Sequence, residues 1–125
     1  MYEYKLLAVL KIIDGDTYDL TLDVGFNMSI RLRVGLAGYD TPEILANSDN
    51  ERSKAAEAAV AAQNWFQNHE QITVRTLKTD SFGRWLGTIK SDTSDLGVYL
   101  ADLKLAAPYP QKWSDIYGAK RNHDD

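Results

Sequence analysis

A chain of 125 residues that is 44% hydrophobic, 26% charged and 10% aromatic has the make-up of one globular domain, outside the disordered, collagenous and fibrous classes. With no cysteine and only His69 and His123, it excludes disulfide frameworks, thiolate zinc sites and cysteine nucleophiles, leaving a hard, oxygen-bound ion as the metal option. The net charge of −4 is the wrong sign for bulk electrostatic binding of nucleic acid, but it is uneven: residues 1–43 hold seven carboxylates against four Lys or Arg.

No apolar run reaches the roughly 18 residues of a membrane helix, and Glu3, Lys5 and Lys11 break up the N-terminal apolar stretch. The chain therefore reads as soluble and without a signal peptide, either cytoplasmic or exported with the signal removed. Tyr4 to Ile13 is rich in Leu, Val and Ile and ends in Asp14-Gly15-Asp16, a turn signal. From Thr17 to Val24, apolar Tyr18, Leu20, Leu22 and Val24 alternate with polar Thr17, Asp19, Thr21 and Asp23, the period of a half-buried strand. These two segments predict a hairpin. Gly25 and Asn27 mark the next turn, and Met28, Ile30, Leu32 and Val34 then predict a third strand with Arg31 and Arg33 on its polar face.

After Tyr39-Asp40-Thr41-Pro42-Glu43 the period changes. Ser48 and Glu51 have capping-box spacing, and Ala55, Ala59, Ala62 and Phe66 recur at helical intervals, predicting a helix to about Asn68. Ile72 to Leu77 and Leu86 to Lys90 read as two short strands around a turn at Asp80 to Gly83, and Asp95 can cap a short helix through Leu103. The segment from Pro108 to Asp125 is polar and is expected to be a loosely held tail, with the domain core at about residues 4–109. The expected fold is mainly β with helices (α+β): a five-stranded OB-fold barrel with one helix between strands 3 and 4 and a short helix after strand 5.

Taken alone, Asp14-Gly15-Asp16-Thr17, Asp40-Thr41-Pro42-Glu43 and Asp80-Ser81-Phe82-Gly83-Arg84 each read as a turn. In this order and on this strand pattern, they resemble the staphylococcal-nuclease-like (thermonuclease) family over about residues 4–109. Gly25-Phe26, Trp85-Leu86, Leu105-Ala106 and Pro108-Tyr109 add to the likeness. The resemblance implies a monomeric, Ca²⁺-dependent phosphodiesterase that hydrolyses DNA and RNA with little sequence preference and has no membrane partner. It also implies roles: Asp16 and Asp40 as carboxylate ligands with the Thr41 carbonyl as a third, Glu43 beside the attacking water, and Arg84 clamping the phosphate. Those residue types suit the chemistry, since hard oxygen ligands match Ca²⁺, a carboxylate can accept a proton from water, and a guanidinium matches phosphoryl oxygens. Tyr109 is a candidate nucleotide contact.

The chain departs from that pattern. Gly35 stands where the family usually places a second phosphate-clamping arginine, five residues before Asp40. Arg33 lies on the same strand face, roughly 6 to 7 Å away, and a bulge at Gly35 or Gly38 would bring it forward, which makes Arg33 the candidate replacement. If the vacancy is costly, Gly35→Arg would restore activity; if Arg33 already fills the place, Gly35→Arg would strain the strand or crowd the site and Arg33→Ala would abolish activity. Ser81 and Phe82 replace a lysine and a tyrosine that often contact a terminal phosphate. Gly97 and Lys104 replace an Asn and a Gly at the ends of the second helix, and Lys104 is expected to need a left-handed backbone. The alternative is a catalytically weakened nucleic-acid or nucleotide binding module.

Overall fold

The alternation read from residues 17–24 places Tyr18, Leu20 and Leu22, all fully buried, on the inside of a closed barrel, with Asp19, Thr21 and Asp23 facing outward. This is a computed structural model, in which residues 2–81 and 83–118 are described. Strands β1 (Tyr2–Asp14), β2 (Thr17–Gly25) and β3 (Met28–Leu36) form an antiparallel meander. After β4 (Tyr39–Asp40) and helix α1 (Asp49–Asn68) come β5 (Thr73–Thr79) and β6 (Trp85–Lys90), followed by helix α2 (Leu96–Asp102), β7 (Ala107–Pro108) and a π-helical turn (Ser114–Gly118).

The barrel order is β1-β2-β3-β6-β5, closed by antiparallel β1–β5 pairing and by a parallel seam in which Val34, Gly35 and Leu36 oppose Trp85, Leu86 and Gly87. The expected OB-like α+β barrel is thus present. Strand β1 is long enough to wrap it because its register slips three times against β2, between Leu6 and Ala8, Val9 and Lys11, and Ile12 and Asp14; bulges of this kind bend a strand. Ser48 caps α1 by accepting from the Glu51 N–H, and Ala58, Ala61, Ala62, Trp65 and Phe66 carry the helix into the same core as Tyr18, Leu20, Val34 and Ile89.

The C-terminal boundary differs from the expected one. Pro108 pairs with Tyr39 and Ala107 with Asp40 in a two-stranded sheet, and Trp113, 1% exposed, is among the largest buried side chains. The segment is therefore tied down at Pro108 and Trp113, and the polar composition that suggested a loose tail conceals a single large anchor. The part of the expected tail at 119–125 lies outside the described residues. Lys104 does adopt a left-handed backbone (φ 62°), and its N–H and that of Leu105 return to the carbonyls of Ala101 and Leu100, closing α2 as a Schellman turn. The indole of Trp113 donates to the Lys104 carbonyl at 2.9 Å, which holds this strained residue in place. Gly97 has a packing reason: a Cβ there would run into the ring of Tyr39, which lies against α2.

Candidate active site

The turn Asp14-Gly15-Asp16 is pinned from three sides. The Gly15 N–H donates to Asp14 Oδ1 at 2.7 Å, the buried Tyr18 hydroxyl donates to the Gly15 carbonyl, and Leu36 N–H donates to the Asp16 carbonyl at 2.8 Å. A glycine is required at the centre because a Cβ on Gly15 would stand 2.7 Å from the Cβ of Ala58 and 3.1 Å from Thr41 Oγ1. The small side chains on α1 let the helix come this close, and the contact joins the first acidic turn to the second.

That second turn is placed by the β4–β7 pair. Asp40 sits opposite Ala107, and its Oδ2 accepts the Trp113 backbone N–H at 2.7 Å. The Glu51 carboxylate, which capping-box spacing would send back to its own N-cap, instead accepts the Glu43 N–H at 3.0 Å and fixes the backbone of that residue. Thr41 is 2% exposed, and its Oγ1 is a buried side-chain atom without a hydrogen-bond partner among the described residues.

Asp14, Asp16, Thr17, Arg33, Asp40, Thr41, Glu43 and Arg84 together line one open pocket of about 400 Å³. Six of the seven residues expected at a site therefore converge. Tyr109 does not line this pocket: it is 80% exposed, and its N–H donates to the Gly38 carbonyl at the start of the β4 strand.

Arg84 is the most tightly held charge in the pocket. Its Nε donates to Asp80 Oδ2 at 2.5 Å, its Nη1 donates to Thr17 Oγ1 at 2.5 Å and lies 3.6 Å from Asp16 Oδ1, and its backbone N–H donates to Asp80 Oδ1. The Thr17 hydroxyl in turn donates to Asp16 Oδ1 at 3.1 Å. The side chain lies flat over Gly35, where a Cβ would come within 2.7 Å of Nε and 2.9 Å of Cδ and Cζ. The space that a side chain at position 35 would occupy is therefore taken by Arg84. Gly35 serves as a bed for that arginine, so of the two expected outcomes of Gly35→Arg the geometry favours crowding of the site over restored activity, with Arg84 and not Arg33 as the group crowded.

Arg33 is not carried forward by a bulge. The β2–β3 ladder runs in register from Thr17 opposite Gly35 to Asp23 opposite Ser29, and Arg33 donates from Nε and Nη2 to Asp19 at 2.9 and 3.2 Å. Its side chain, 55% exposed, stands at the rim of the pocket. Phe82 lies outside the described residues, and Ser81 is exposed without lining the pocket.

Electrostatically, the pocket is dominated by carboxylates. Burial is the main cause that pushes the Asp14 carboxyl up from 3.8 to about 6, with Asp16 and Glu43 adding to it against the Gly15 N–H and Arg84. Asp40 is raised for the same first reason, against the bond from Trp113, with Asp16, Glu43 and Glu51 contributing. Sequence reading passed over Asp14, Thr17, Asp80, Glu51 and Trp113 as site residues. The first three lie inside the motifs themselves, and the four-residue spacing of Asp80 to Arg84 is a usable signal for an ion pair.

The Asp14 carboxyl predicts an unusual pH response. Its folded pKa lies above the unfolded one, so the native state holds the extra proton, and this contribution to stability is complete below about pH 4 and is lost as pH rises through about 6. Because Asp14 is only half-buried, screening limits the effect to about 1–2 kcal/mol. In chelator, urea midpoints of the parent should fall relative to those of Asp14→Asn between these two pH values. Parallel curves would remove the assignment.

An ion fits the chemistry of this pocket. Every donor is an oxygen, the crowded carboxylates carry charge that two arginines do not balance, and Thr41 contributes an unsatisfied hydroxyl. Among the described residues no three carboxylate or imidazole groups converge closely enough to hold an ion by themselves, so water and phosphate would have to supply most of its ligands. No model of a known protein family matches the chain, and no curated protein matches it.

Proposed function

We propose that this protein is a Ca²⁺-dependent nuclease hydrolysing phosphodiester bonds in DNA and RNA. The observation that carries this reading is the pocket itself: acidic turns on two separate segments face a guanidinium fixed by Asp80 and Thr17. Asp16, Asp40 and the carbonyl of Thr41 are the residues that would hold the ion, which when bound supplies Lewis-acid polarisation of a phosphoryl oxygen.

The remaining work falls to the side chains. Arg84 keeps part of its guanidinium open to the pocket and orients a phosphate through charge-assisted hydrogen bonds, and it stabilises the charge that grows on the phosphoryl oxygens. Glu43, exposed and with its backbone fixed by Glu51, orients a water and accepts its proton. Thr17 bridges Arg84 to Asp16, tying the guanidinium to the acidic turn through one hydroxyl. The second reading, a binding module with weak turnover, is favoured by one observation: Arg33 is paired with Asp19, leaving Arg84 as the arginine set deep in the pocket.

The deciding experiment is incubation of single-stranded DNA with the protein in Ca²⁺ and in chelator. Cleavage in Ca²⁺ alone supports the enzyme, and binding without cleavage supports the module. Calorimetry should detect millimolar-range Ca²⁺ binding that is lost in Asp16→Ala and Asp40→Ala and that Zn²⁺ does not replace functionally. Unchanged Ca²⁺ affinity in both variants would remove the metal assignment.

A further inference from the structure

Beside the acidic pocket, and sharing Arg33 with it, lies a second shallow depression of about 650 Å³ lined by Leu10, Asp19, Arg31, Leu32, Arg33 and Gly83. Its floor is the outer face of β1–β3, and the register fixes what that face presents. Lys11, Asp19 and Arg33 form one cross-strand row, Ala8, Thr21 and Arg31 the next, and Lys5, Asp23 and Ser29 a third. Four cations therefore meet two carboxylates in these three rows, although the whole chain carries −4. Arg33 thus stands between a pocket rich in carboxylates and a face richer in cations.

We propose that this face is a track for a single strand of nucleic acid leaving the pocket, with Arg33 and Arg31 on successive phosphates and Leu10 against a base. The occupant rests on the phosphodiester reading above; the surface stands independently of it. Arg33 and Arg31 are two residues apart on one strand, so their side chains leave the sheet on the same side, roughly 6.6 Å apart, a repeat that suits an extended phosphate backbone. Arg31 is exposed, with Thr21 as its cross-strand neighbour. The Arg33–Asp19 pair is also exposed, and an exposed pair exchanges Asp19 for a phosphate at little cost.

Leu10 gives the track an apolar element. It falls at the register slip between Val9 and Lys11, where the ladder leaves it unpaired and 49% exposed, a large aliphatic group on the wall of a cationic trough. Only an unstacked base presents a face to such a group, which favours a single strand over a duplex. The turn before Arg84 bounds the trough at Gly83, where an added Cβ would meet nothing within 4 Å among the described residues.

The test measures anisotropy of labelled oligothymidylates about 2 to 12 nucleotides long, in chelator so that nothing is cleaved. The longest should bind at least about tenfold more tightly than the shortest. Arg31→Ala should weaken the longest by about fivefold and reduce the salt slope by about 0.7, the value for one lost phosphate contact on a single strand, while Arg31→Glu should weaken it further. Leu10→Ser should weaken binding without changing the salt slope, and Lys90→Ala, outside this face, should leave it unaltered. Thermal unfolding checks that each variant is folded. Equal affinity for short and long strands, or parental binding by both Arg31 variants, overturns the track. A polyglutamate peptide that competes as well as the long strand also overturns it, in favour of a general polyanion surface. Length-dependent, Arg31-dependent binding by a parent that cleaves nothing in Ca²⁺ sinks the nuclease reading and leaves the track standing.

Discussion

Gly35→Ala is expected to lower DNA cleavage by about one to three powers of ten, although it adds a single methyl group. The added Cβ would stand 2.7 Å from Arg84 Nε and 2.9 Å from Cδ and Cζ, so the guanidinium has to leave its bed and give up its bonds to Asp80 and Thr17. The Arg84 side chain is flexible, so the barrel accommodates the change and folding is little affected. Gly35→Arg should be worse, since the new side chain competes with Arg84 for the same pocket wall. Arg84→Ala alone should lower turnover by about two to four powers of ten, corresponding to about 3 to 5 kcal/mol of lost transition-state stabilisation. The two positions act as one unit, so Gly35→Ala in the Arg84→Ala background should cost nothing more. Steady-state cleavage of single-stranded DNA by the four proteins of this cycle checks the coupling. Additive losses would mean that Arg84 does not depend on the space above Gly35.

The strands, both helices and their caps were legible because each is written in local pattern: alternation at Tyr18 to Val24, helical spacing from Ala55 to Phe66, Ser48 and Asp95 at the two N-caps. The acidic turns were legible as motifs, and the pocket gathers them. Gly35 was misjudged for a physical reason. A glycine late in a strand signals either a bulge or a close approach of another group, and sequence alone does not separate the two. Here the strand is paired on both sides, to Thr17 on β2 and Leu86 on β6, so it has no slack for a bulge, and close approach is what remains. The same logic explains Gly15 under Ala58 and Gly97 under Tyr39. The β4–β7 pair, two residues on each side, is too short to have a period, and the contact from Trp113 to Asp40 spans 73 residues of sequence with no local trace.

Trp113 is therefore where a mutation should show how much the C-terminal segment contributes. It is 1% exposed and packs beside Tyr117, its indole donates to Lys104, and its backbone N–H donates to Asp40. Trp113→Ala removes a large buried side chain together with its bond to the Lys104 carbonyl, and changes of this kind cost about 3 to 5 kcal/mol. Against a total of about 5 to 15 kcal/mol, that is a large share, equivalent to a fall in Tm of about 10 °C or more. The site should suffer as well. The bond from Trp113 opposes the rise of the Asp40 carboxyl, so a released segment leaves Asp40 without that donor, further raised in pKa and a poorer ligand for a cation. Trp113→Phe, which keeps most of the packing and loses only the indole N–H, should cost about 1 to 2 kcal/mol and preserve Ca²⁺ affinity. Denaturant unfolding and Ca²⁺ calorimetry on the two variants separate packing from tethering. If Trp113→Ala unfolds within about 1 kcal/mol of the parent and binds Ca²⁺ equally well, residues 108–118 are an attachment to the barrel and have no part in holding Asp40.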